Sequence, residues 1–222
     1  MSETSALMPL PLFHGTTSWF LPGILKFGLG GVDIHARLRS RDFYREVWTL
    51  RLQLADADGR EKLARLYGIQ SNSIIANAVT PGGHNYRYDA VYCTGCEHKA
   101  FTYAARGFGS ELIRVGTDWL DEIQAIDPVL AEAVLSSYPE IAECMADQHH
   151  PIVIRLDRVD RRFVRLNNGR LCPPELDGIA NALSFELIKG ANLSAITIFR
   201  AENIETDSIG AESYDLVPLT AN

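Results

Sequence analysis

The chain has 222 residues, 46% of them hydrophobic and 22% charged, with a formal net charge of −7 at pH 7. This is ordinary globular material, long enough to bury a sizeable core as one domain. The acidic balance excludes a surface built throughout for nucleic acid, while leaving local basic patches open.

Residues 1–11 lack a basic segment followed by an apolar stretch, and no apolar run approaches bilayer length, so the expected address is cytoplasmic, with no membrane partner. Cys93, Cys96, Cys144 and Cys172 are too few for a disulfide framework and read as reduced thiols. No repeat or long linker divides the chain.

In chain order, Pro9–His14 is short and apolar. Phe20, Leu21, Ile24, Leu25 and Phe27 then follow a helical spacing that Gly28-Leu29-Gly30-Gly31 stops. Trp48–Leu54 alternates like a strand, and Glu61–Tyr67 reads as a short helix. A turn at Pro81-Gly82-Gly83-His84-Asn85 precedes a buried strand, Ala90–Thr94, which enters a helix at Glu97–Ala105. Asp118–Met145 is helical, with Pro128 and Pro139 dividing it into short pieces. Strand chemistry returns at Pro151–Leu156, Phe163–Leu166, Phe185–Ile188 and Ala195–Arg200, with a turn at Asn167-Asn168-Gly169.

Three segments carry candidate chemistry: Phe13-His14-Gly15-Thr16-Thr17, Tyr92 with Tyr103 beyond it, and Ser184-Phe185-Glu186-Leu187-Ile188. Splitting the nicotinamide–ribose bond of NAD leaves positive charge on the ribose. A carboxylate on a rigid strand, such as Glu186, stabilises that charge. Phe185 and Leu187 should face away from it. Tyr92 and Tyr103 offer rings to hold the leaving base. His14 offers a hydrogen-bonding imidazole, Gly15 a place where a ligand can approach the backbone, and Thr16 a hydroxyl.

In order and character these segments resemble the His-Tyr-Glu class of ADP-ribosyltransferases, which includes the poly(ADP-ribose) polymerases and diphtheria-toxin-like enzymes. The His14-Gly15-Thr16 strand is followed by a helix ending in Gly28-Leu29. Tyr92 is followed eleven residues on by Tyr103. Glu186-Leu187-Ile188-Lys189-Gly190 precedes Ile196-Thr197-Ile198-Phe199.

The resemblance implies an α+β fold with a split antiparallel β-sheet core and helical insertions. It would be one domain over residues 1–222, interrupted at about 31–88 and 116–150. It also implies a bacterial-type toxin or effector that consumes NAD, releases nicotinamide and attaches one ADP-ribose to a protein or nucleic acid, with a neutralising partner protein as a further expectation.

By the same resemblance His14 bonds the adenosine ribose, the Gly15 backbone clamps the nicotinamide amide, the tyrosines stack on its ring, and Glu186 polarises the nicotinamide ribose. Ala100 stands where the polymerases carry a serine. Ser184 stands where the arginine-modifying class has a second glutamate, which points away from arginine as the acceptor.

Other readings compete. The same pocket with water as acceptor is an NAD glycohydrolase. A catalytically inert relative would bind ADP-ribose or nucleic acid, and the RNA 2′-phosphotransferases would need basic catalytic residues that have no evident place here. Glu97 and Glu175 are fallback carboxylates. Cys93-Thr94-Gly95-Cys96 has the spacing of a metal knuckle, but a second cysteine pair is missing and no metal is expected. Arginines gather twice. Arg37, Arg39, Arg41 and Arg45 are suited to the NAD pyrophosphate, while Arg155, Arg158, Arg161, Arg162, Arg165 and Arg170 are suited to a nucleic-acid backbone.

Overall fold

In the computed structural model the described residues are 7–78, 86, 90–106, 110–147, 149–166, 184–187, 195–201 and 209–214. They form a mixed α+β protein with a wholly antiparallel sheet. The chain divides into two compact units, one made of residues 1–32, 90–109 and 148–222, the other of 33–89 and 110–147.

The first unit holds the sheet. Its strands are β1 (Leu12–Thr17), β2 (Val91–Thr94), β3 (Pro151–Asp157), β4 (Val164–Leu166), β5 (Ser184–Leu187), β6 (Ala195–Ala201) and β7 (Ile209–Tyr214). Among the described residues their order is β4-β5-β2-β1-β3-β6-β7. Central β3 buries Ile152, Val153, Ile154 and Leu156, so both of its faces are covered. β1 and β3 stay in register over six pairs, from Leu12↔Leu156 to Thr17↔Pro151. β1 and β2 share one pair, Phe13↔Thr94. The sheet is therefore two ladders joined at a single register position.

Helix α1 (Leu21–Phe27) follows β1 through a short 3-10 turn, with Pro22 in its first turn where a missing N–H costs nothing. Gly28 ends it at φ 82, donating its N–H to Ile24 O at 2.8 Å; that left-handed backbone suits glycine. After β2 comes α5 (Glu97–Ala105), which lies on β1, β2 and β3 and closes a cluster of Phe13, Ala100 and Val153 with Phe101 beside it.

The second unit is helical: α2 (Ile34–Arg37), α3 (Ser40–Leu54), α4 (Ala57–Ile75), α6 (Glu111–Ile126), α7 (Pro128–Ser137) and α8 (Pro139–Ala146). Pro128 and Pro139 each open a helix, so the prolines divide this stretch where the sequence placed them. Asp127 caps α7 by accepting the Leu130 N–H at 3.0 Å. Around Trp119 pack Tyr44 and Trp48, each with ring centroids 5.1 Å away, and Tyr67 at 6.0 Å. Arg51 lies over the Trp119 ring at 4.8 Å and bonds Glu122 at 2.6 Å.

Two expectations are corrected here. Trp48–Leu54 is the end of α3 and not a strand: Phe43, Tyr44, Val47 and Trp48 are all buried, a spacing of one, four and five that only a helix presents to one side. The short helix expected at Glu61–Tyr67 runs from Ala57 to Ile75, started by Asp56, whose carboxylate accepts the Gly59 N–H at 2.7 Å. The turns at 81–85 and 167–169 and the fallback Glu175 lie outside the described residues.

Candidate active site

The first unit brings Tyr92 and Glu186 together. Both sit mid-strand, and the β2–β5 register sets them directly opposite each other. Opposed Cβ atoms on paired strands are about 4.5–5.5 Å apart and share a face. The alternate residues Cys93, Phe185 and Leu187 are buried, while Tyr92 and Glu186 are half-buried. Burial of the apolar neighbours therefore aims the carboxylate and the phenol to the other side, as the alternation predicted.

His14 ties β1 to this pair. Its Nδ1 is 2.8 Å from the carbonyl oxygen of Tyr92. A carbonyl only accepts, so Nδ1 carries the proton and Nε2 keeps its lone pair. The bond lies where the β1–β2 ladder has stopped after Phe13↔Thr94, and the imidazole thus spans two strands that no longer pair. Burial lowers the His14 pKa, and the bond to Tyr92 partly offsets it. The ring is a neutral acceptor at pH 7.

Gly15 is closed on one side. A Cβ at this position would lie 2.0 Å from Ala100 O and 3.0 Å from Ala104 N. The missing side chain is thus explained by the main chain of α5 lying directly on β1, on that side of the residue. Ala100 and Ala104 are buried in this contact, so Ala100, the departure from the polymerase serine, is a helix-to-strand spacer. Thr16 is also buried, at 3% exposure.

Tyr103 is on α5 and 51% exposed, with Ala100 and Ala104 taking the sheet side of that helix. Arg37 and Arg39 belong to the second unit. Arg39 donates to Ser137 O at 3.4 Å, lies 3.8 Å from Asp42 and stands over the Tyr138 ring at 4.9 Å, a set of contacts that accounts for it structurally. Arg37 is exposed at the end of α2.

Cys93 is buried and its thiol is pushed up by desolvation, which suits packing more than ligation. Among the described residues no three His, Cys, Asp or Glu side chains stand close enough to hold a metal ion.

One neighbour of the pair was named from the sequence only as a member of an arginine cluster. Arg165 on β4 stands directly opposite Glu186, so Tyr92, Glu186 and Arg165 form a row across three strands. The arginine cluster was visible as composition, but its alignment with Glu186 depends on long-range pairing. Compared with family models, with curated proteins and with solved structures, the chain has no match.

Proposed function

We propose that this protein is a mono-ADP-ribosyltransferase of the His-Tyr-Glu kind, built on an ADP-ribosyltransferase-like split sheet. It uses NAD as donor, releases nicotinamide and passes ADP-ribose to a macromolecular acceptor. The carrying observation is the Tyr92↔Glu186 register pair with His14 bonded to the Tyr92 main chain, where, among the described residues, the β1 and β2 ladders part.

In this reading the Tyr92 ring supports the nicotinamide, and the neutral Nε2 of His14 accepts from a donor hydroxyl. The Glu186 carboxylate faces the ribose as positive charge develops there. The bond from ribose C1′ to the nicotinamide nitrogen breaks with its electron pair going to the leaving base. A nucleophile of the acceptor then forms the new bond to C1′ and loses its proton. Tyr103, exposed on α5, supplies the second ring in the resemblance, and the bond geometry above needs only Tyr92.

The test is nicotinamide release and label transfer from adenylate-labelled NAD in a cell extract. Glu186→Gln keeps shape and removes charge, and should lower the rate about 100-fold or more. A Glu186→Gln protein as active as wild type, or no nicotinamide release by either, overturns the reading. Release without a labelled macromolecule would identify hydrolysis.

A further inference from the structure

We propose that the acceptor is a nucleic-acid strand, held by its phosphates at Arg165 beside Glu186 and at Arg158 in the same basic run of sequence; this rests on the transferase reading above. Tyr92 flanks Glu186 on one side and Arg165 flanks it on the other, one strand further toward the rim of the sheet. If the leaving base rests on Tyr92, the acceptor reaches ribose from the Arg165 flank. A guanidinium there favours an acceptor that brings negative charge with it.

The local charge supports a polyanion. Residues 158–165 carry four arginines, Arg158, Arg161, Arg162 and Arg165, against one aspartate, Asp160. Asp160 is taken up by Arg162 at 2.7 Å, and Asp157 by Arg155 at 3.0 Å. Arg158 and Arg165 are exposed, and neither makes an ion pair among the described residues. Arg158 sits at φ 57 immediately after β3, in a left-handed conformation rare for a long side chain. With a net charge of −7 over the whole chain repelling nucleic acid, such a strip defines where a strand can approach. An acceptor read through phosphates would be modified with little dependence on flanking sequence.

The full chain is incubated with adenylate-labelled NAD and mixed-sequence single-stranded DNA or RNA oligonucleotides, and in parallel with a protein extract cleared of nucleic acid. Label should move to the oligonucleotide. The Arg158→Gln/Arg165→Gln double variant should lose about tenfold or more of that labelling, and Arg165→Lys, which keeps the charge, should recover much of it.

Oligonucleotide affinity measured without NAD should also fall in the double variant. Its dependence on log salt should become shallower by about 0.7 for each arginine removed. Nicotinamide release with label only on protein overturns this inference and leaves the transferase reading standing. Oligonucleotide labelling and affinity unchanged in the double variant overturn the arginine assignment. Failure of nicotinamide release with every acceptor overturns the transferase reading itself, and this inference with it.

Discussion

Replacing Gly15 with alanine tests the close approach of α5 to β1 in the first unit. The new methyl would lie 2.0 Å from Ala100 O, 2.9 Å from Ala100 C and 3.0 Å from Ala104 N, against the 3.4 Å at which ordinary contact begins. Every one of these atoms is main chain, so no rotamer change relieves the overlap. Helix α5 would have to retreat by 1.4 Å along the line to the Ala100 carbonyl, loosening the buried Phe13–Ala100–Val153 cluster. Overpacking of this kind costs about 3 kcal/mol, the upper part of its usual range. For a chain of this length that lowers Tm by about 6–12 °C.

The assay is thermal unfolding followed by far-ultraviolet circular dichroism, with Gly23→Ala as control, since a Cβ there meets nothing within 4 Å. A Gly15→Ala protein melting within about 2 °C of wild type would show that α5 does not lie on β1 as described.

Gly68→Ala, in the interior of α4 where an added Cβ also meets nothing, should raise stability by about 1 kcal/mol in urea unfolding. Thr17→Val should stabilise by about 1–2 kcal/mol on the same measurement, because the Thr17 hydroxyl is buried without a hydrogen-bond partner among the described residues. His35 has its pKa lowered to about 4, chiefly by burial, with Asp33 raising it and Arg41 lowering it.

Because the unfolded chain takes up that proton near pH 6.5 and the folded one does not, stability is full above 6.5 and falls as pH drops toward 4. The loss is about 3 kcal/mol, and urea midpoints against pH should flatten in His35→Gln. Burial pushes the Cys144 thiol up to about 11 and Cys93 up as well, so both should resist alkylation in the native state while half-exposed Cys96 labels before either of them, as peptide mass mapping would read.

Local signals carried much of the fold. Pro128 and Pro139 open helices because each lacks the N–H that a helix interior needs, and Gly28 ends α1 because its backbone is left-handed; each is a property of one residue. The apolar alternation around Glu186 likewise separated the carboxylate from Phe185 and Leu187. Trp48–Leu54 failed because a seven-residue window holds too few turns to distinguish the two periods, and the deciding residues, Phe43 and Tyr44, lie upstream. Strand β7 over Ile209–Tyr214 went unread because Gly210, Ala211 and Glu212 offer little strand propensity, and its pairing with β6 supplies what composition does not.

The sequence by itself determined which groups exist and on what kind of element each stands: an imidazole and a carboxylate on strands, a tyrosine on a strand leading into a helix. Tertiary pairing decided how they are used. It set Tyr92, Glu186 and Arg165 in one row, placed the His14 ring across the gap between β1 and β2, and assigned Gly15 to the underside of α5. Register and close approach join residues tens of positions apart, and the energy that selects them resides in contacts no local window contains.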